Sequence, residues 1–143
     1  WPATTIRTFV NNDIYNALPS ELQNAIIDTT VVSGHGSTSG ESNFTSNDKL
    51  YLLAPKEIYS DFNLVNDTAK DLTRTLDYYT SIGVTTSNYS GAIKKNGTSA
   101  SAWWLRVANS IGNDTFYDVY SDGDWFRNGA NYTYGVSPAF RLG

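Results

Sequence analysis

The sequence contains no cysteine and no methionine among its 143 residues, and only one histidine and four prolines. Without thiols no disulfide, thiolate metal site or cysteine nucleophile can be built, and enzymes that need a catalytic thiol are excluded. A Ser-His-Asp triad would have to pass through His35, which lies between Gly34 and Gly36 in a stretch that reads as a loop. No apolar run approaches the ~18 residues of a spanning helix, so membrane insertion is not expected. Basic residues are also few: ten Lys and Arg stand against fourteen Asp and Glu, for a net charge of −4. Lys94-Lys95 is the only basic pair, which leaves no electrostatic reason to bind nucleic acid or an anionic membrane. The chain opens Trp1-Pro2 without an initiator, and this reads as a processed chain or a domain cut from a larger protein.

What is present suits a single domain over 1–143: 40% of residues are hydrophobic and 17% charged, enough for one core. Asn, Ser and Thr fill the segments between apolar stretches. Aromatics reach 14%, ten of them Tyr, and that mixture suggests an outward-facing protein.

The clearest period is Ile6, Phe9, Val10, Ile14, Ala17 and Leu18, which predicts a helix over 5–18. Pro19 and Glu21 suit the first turn of a second helix, running to 27. Residues 29–32 read as a strand feeding a long exposed loop over 34–48. Leu50-Tyr51-Leu52-Leu53 reads as a strand, with a helix starting at Pro55 behind it. A third helix is expected over 67–81, with Gly83 placed for a C-cap, and a polar loop over 85–101. Then comes a buried strand at 102–105, followed by a hairpin in which 116–120 returns through Ser121-Asp122-Gly123-Asp124 into Trp125-Phe126. Residues 135–142 read as a closing strand with a bulge or edge at Pro138. Early helices and late strands without a βαβ rhythm give an α+β fold, with N-terminal helices packed on a mixed or antiparallel sheet. Phe9, Trp103, Leu105, Val119 and Phe140 are the expected core aromatics and aliphatics, whereas Glu21, Glu41 and Glu57 sit in contexts that read as solvated.

Five landmarks recur in order: Ile6-Arg7-Thr8-Phe9-Val10-Asn11-Asn12, Asp48-Lys49-Leu50-Tyr51-Leu52-Leu53, Trp103-Trp104-Leu105-Arg106, Gly123, and Gly135-Val136-Ser137-Pro138-Ala139-Phe140-Arg141-Leu142. Together they resemble an uncharacterised family found in secreted and surface proteins of Gram-positive gut bacteria and their phages, similar to the C-type-lectin-like fold. The chain departs from that pattern at Ser137, where Arg is usual, and at Val107-Ala108-Asn109, where Ser-Pro-Gly is usual. The resemblance implies a lectin-like domain at the cell surface, outside the cell or on a virion. Some proteins of this kind are variable products of diversity-generating retroelements, and the stretch 109–134, rich in Asn, Tyr, Asp, Ser and Gly, looks similar to their variable regions. True C-type lectins hold calcium and sugar with Glu-Pro-Asn or Gln-Pro-Asp plus Trp-Asn-Asp, triplets absent here.

Asp122-Gly123-Asp124 resembles the start of a calcium loop, but Phe126 and Arg127 occupy positions where that loop needs a ligand and a glycine. A hairpin turn is the expected reading, and neither metal nor cofactor is expected. Six Asn-x-Ser/Thr triplets begin at Asn43, Asn66, Asn88, Asn96, Asn113 and Asn131. Tyr and Trp amid Ser, Gly and Asn give large contact area at small entropic cost, the composition of binding loops. The candidate ligand-binding residues are therefore Tyr120, Asp122, Asp124, Trp125, Phe126, Arg127, Asn128, Asn131, Tyr132 and Tyr134, and the expected partner is a protein or glycan on a cell surface. The function expected is recognition or adhesion without catalysis. A structural role in a surface or phage appendage is the alternative, and a glycoside-active enzyme comes third.

Overall fold

A capped helix opens the chain in the computed structural model, which describes all 143 residues, Trp1–Gly143. In chain order the elements are α1 (Thr5–Phe9), a π-helical turn (Val10–Ile14), α2 (Tyr15–Ala17), α3 (Ser20–Ala25), β1 (Ile26–Ile27), β2 (Thr29–Ser33), β3 (Phe44–Asp48), α4 (Pro55–Ile58), α5 (Asp77–Ser81), β4 (Lys94–Asn96), β5 (Ser99–Ser101), β6 (Trp103–Ala108), β7 (Thr115–Val119), β8 (Trp125–Gly129) and β9 (Arg141–Leu142). The fold is α+β, with short helices and antiparallel pairings β1–β9, β2–β3, β4–β5 and a three-stranded β6–β7–β8 sheet. No helix is long and apolar enough to cross a membrane.

The Thr4 hydroxyl accepts from the Arg7 amide at 3.2 Å and so satisfies one of the free N–H groups at the start of α1. The predicted helix over 5–18 is present, but its π turn inserts an extra residue and rotates the apolar face. Val10 is buried in consequence, and Phe9, expected in the core, is 45% exposed. The second helix stops at Ala25 rather than 27, because Ile26 and Ile27 pair with Leu142 and Arg141. The closing strand thus meets the N-terminal region through two residue pairs. Phe140, also expected in the core, remains substantially exposed beside this short ladder.

The last third of the expected loop over 34–48 is strand, since Phe44–Asp48 pairs along its whole length with β2. Its tip is tied down: the Asn43 carbonyl oxygen accepts from the His35 amide and the Thr68 hydroxyl, and its amide nitrogen donates to Thr68 O. The third helix is broken. Residues 70–72 form a 3₁₀ turn, α5 starts only at Asp77, and the Leu76 amide donates to Glu57 O instead of a helical carbonyl. The polar stretch 85–101 contains the β4–β5 hairpin, turned at Gly97 with φ +63°.

Residues 50–54, with 50–53 expected as a strand, are wholly buried, yet only Tyr51 pairs as in a sheet, with Ala139. Buried backbone polar groups need partners, and here Asn11, Arg106 and Glu57 supply many of them. The Asn11 carbonyl oxygen accepts from Lys49 N and Leu50 N, and its amide nitrogen donates to Leu50 O at 2.8 Å. The Arg106 backbone amide donates to Leu53 O and its Nη1 to Leu52 O, while Ala54 N donates to the Glu57 carboxylate at 2.7 Å. At the segment's entrance, buried Asp48 accepts from Trp1 Nε1, Arg7 Nε and Ser46 Oγ. On β6, Trp104 N donates to Gly135 O and Gly135 N to Ala102 O. The landmark segments of the sequence are therefore docked on one another.

Glu57, expected to be solvated, is buried and paired with Arg106, whose own side chain is almost fully enclosed. Trp103, Leu105 and Val119 lie in the core as expected. A register irregularity between Trp104 and Ala108 accompanies burial of both faces of β6, so Trp104 and Arg106 are covered too.

Candidate functional site

Strand alternation in β7 sends Tyr117 and Val119 to one face and Phe116, Asp118 and Tyr120, the last just beyond the strand end, to the other. Asp118 stands opposite Trp104 on β6 and Phe126 on β8, so all three belong to that second face. The Asn128 amide nitrogen donates to Asp118 Oδ2 at 2.9 Å and to the Tyr120 hydroxyl at 3.3 Å. Around this carboxylate-amide pair the rings associate in two groups. Tyr120 and Phe126 stack with centroids 4.9 Å apart and planes 20° apart, and Tyr134 lies 4.8 Å from Trp104 and 5.8 Å from Tyr132. Phe126 and Tyr132 are the open members, 49% and 55% exposed, while Tyr120 and Tyr134 are half-buried.

Five of the candidate residues, Tyr120, Phe126, Asn128, Tyr132 and Tyr134, thus come together. Trp125 and Arg127 do not, because their register puts them on the opposite face. Trp125, expected to be exposed, packs edge-on against Phe62 at 5.6 Å and near Tyr117 at 6.1 Å, and the Arg127 guanidinium lies 6.0 Å from its ring. Asp122 and Asp124 build the hairpin turn: Asp122 Oδ1 accepts from Asp124 N, Asp124 Oδ1 accepts from Trp125 N, and Tyr120 N donates to Asp124 O. That turn is anchored. Gly123 has φ +94°, its carbonyl accepts from the buried Tyr59 hydroxyl at 2.7 Å, and a Cβ there would collide with Tyr89 O. Asn131 is exposed on the connection beside the aromatic face.

Sequence reasoning missed Asp118 and Trp104. The period-two pattern running back from Tyr120 through Asp118 to Phe116 is the signal that would have found the first. Asp118 is fully buried, and Oδ1 has no hydrogen-bond partner. Burial raises its pKa to about 6 against the opposing bond from Asn128. Asp67, equally buried with Oδ2 unpartnered, is raised to about 6 by the same cause. Each folded acid therefore holds its proton more tightly than the unfolded chain does, and the stability it contributes is complete below about pH 4 and lost as pH rises through about 6. The penalty at neutral pH is at most about 3 kcal/mol per group. Thermal melts should give a higher Tm at pH 5 than at pH 7.5, with Asp118→Asn narrowing the gap. Equal Tm values for the unaltered protein would mean that neither carboxyl is desolvated.

The whole chain, residues 1–143, matches the family described as a domain of unknown function (DUF6273), and the protein belongs to that family. No curated protein and no solved structure matches it.

Proposed function

We propose that the domain is a ligand-binding module acting outside the cell or on a surface, and that the second face of the β6–β7–β8 sheet is its recognition face. The observation that carries this reading is the gathering of Tyr120, Phe126, Tyr132, Tyr134 and Trp104 around Asn128 and Asp118, with two rings left open. A fold that needed only a core would place Asn, Ser or Gly at Phe126 and Tyr132, because an exposed ring contributes little to folding. Flat rings beside amide and hydroxyl groups suit a glycan, whose C–H face stacks on an aromatic while its hydroxyls bond to polar neighbours. A protein ligand at a cell surface uses the same kind of anchor. The resemblance of the landmark segments to C-type-lectin-like surface proteins of Gram-positive gut bacteria and their phages supports an adhesive role. The position of Tyr120, Phe126, Tyr132 and Tyr134 within 109–134 fits a diversified product of a retroelement. Binding here needs neither metal nor cofactor and no chemical step.

A glycan array, extended to host surface extracts, provides the test. Phe126→Ala and Tyr132→Ala should each remove about 1–3 kcal/mol of affinity for the ligand found, while each melt shifts by no more than about 0.5 kcal/mol in stability. Loss of fold in both variants, or binding unchanged in both, would contradict the assignment.

A further inference from the structure

A concavity of about 260 Å³ opens beside β2 and Tyr51, and three arginines are among the residues that line it: Arg74, Arg106 and Arg141. Arg106 closes the landmark segment Trp103-Trp104-Leu105-Arg106, Arg141 is the penultimate residue of the landmark segment Gly135–Leu142, and both reach this cleft. Two carboxylates answer three cations. Glu57 pairs with Arg106, Asp77 pairs with Arg74 at the exposed rim at 2.7 Å, and Arg141 forms no ion pair. Arg141 is the one arginine of the cleft without a carboxylate partner. The bonds that Arg106 makes inside the protein leave from its backbone amide, Nε and Nη1.

The wall also holds unused hydroxyls. Thr29 lines the cleft at 4% exposure and its Oγ1 is buried without a hydrogen-bond partner, as is Thr73 Oγ1. Burying a hydroxyl without a partner costs free energy, so two such groups beside an uncompensated guanidinium point to a ligand that supplies acceptors. Tyr51, whose ring lies 5.9 Å from the Arg106 guanidinium, completes the set, and the nearby Arg141 partly offsets the rise that burial imposes on its hydroxyl pKa.

We infer that this arginine-lined cleft binds a small monovalent carboxylate, held by Arg141 and Arg106 and accepting from the hydroxyls of Thr29 and Thr73. A carboxylate matches the fork of a guanidinium, and a single negative charge neutralises the site where a dianion would overshoot it. The cleft accommodates one residue of a chain, so the two sources of this chemistry are a peptide C-terminus and a sugar acid.

Calorimetric titration on the intact domain tests the inference with two matched pairs of probes: N-acetyl-alanyl-alanine against its C-terminal amide, and glucuronate against glucose. At least one carboxylate should bind, and its neutral counterpart should not. Which pair responds identifies the source. Arg141→Gln, at an exposed position, should weaken binding tenfold or more, the loss expected for a charge-assisted contact. Thr29→Val removes the orphaned hydroxyl without changing side-chain volume, so it should weaken binding while leaving the melt equal or higher. Binding of a carboxylate no tighter than its neutral counterpart in both pairs, or carboxylate binding indifferent to Arg141→Gln, would overturn the inference. Neither outcome bears on the aromatic face, whose variants are Phe126→Ala and Tyr132→Ala.

Discussion

Arg106→Ala is expected to cost about 3–5 kcal/mol, the range for breaking a buried ion pair from one side, and so to remove a large part of the ~5–15 kcal/mol that holds a domain folded. The guanidinium joins four parts of the chain: β6, which carries it; Leu52 O at 2.8 Å in the buried segment; Val32 O at 3.0 Å on β2; and the Glu57 carboxylate on α4. Truncation orphans two carbonyls and leaves Glu57 charged in a site shielded from water. Ala54 N still bonds to that carboxylate, but one backbone donor does not replace a cation. Arg106→Lys should recover only part of the loss, because a compact ammonium cannot span the separated acceptors that Nε and Nη1 of the planar guanidinium reach. Adding Glu57→Gln to Arg106→Ala should restore a portion, since it removes the unpaired charge. Urea denaturation reads each effect. A loss below about 1 kcal/mol for Arg106→Ala would mean that the network is ornamental to the fold.

Trp103→Ala should be comparably damaging, at about 3–5 kcal/mol. The ring is buried among core residues and its backbone stands opposite Val119 on β7. Its Nε1 donates to Ala92 O at 3.2 Å, and Lys94 Nζ lies 4.7 Å from the ring centroid. That placement makes it the support of the β4–β5 hairpin, which is otherwise polar and exposed. Trp103→Phe should lose about 1 kcal/mol through the missing N–H bond plus a smaller packing deficit. Chemical denaturation with hydrogen exchange at residues 94–101 checks both parts. A Trp103→Ala protein with unchanged stability and a protected hairpin would contradict the role given to this ring.

Local signals carried the elements whose reasons are local. Pro55 at a helix start, the apolar run at Trp103 and the Asp-Gly turn at 122–123 each announce themselves, and each is where the pattern puts it. The β4–β5 hairpin had its signal as well, in Asn96-Gly97, but its polar flanks hid the strands. The failures have long-range causes. Phe44–Asp48 shows almost no apolar alternation, and its buried end is Asp48, tolerated only because Trp1 and Arg7 reach it from more than forty residues away. Glu57 reads as a surface acid until Arg106 arrives from 49 positions downstream. The 67–81 helix fails because Glu57 O captures the Leu76 amide. At the candidate site, the clustering of rings and amides in 116–134 was legible, but which rings share a face was not. Register alone separates Phe126 from Trp125, and a shift of one residue exchanges them.

Backbone chemical-shift mapping with the glycan or protein found by the array tests the proposed recognition face most directly. Titration of the ¹⁵N-labelled domain should perturb Tyr120, Phe126, Asn128, Tyr132 and Tyr134, together with the neighbouring Asp118 and Trp104, and leave the opposite face at Trp125 and Arg127 and the α1 helix at Thr5–Phe9 unmoved. Perturbations centred on α1 or on the Trp125 face, with the rings of the second face silent, would contradict it.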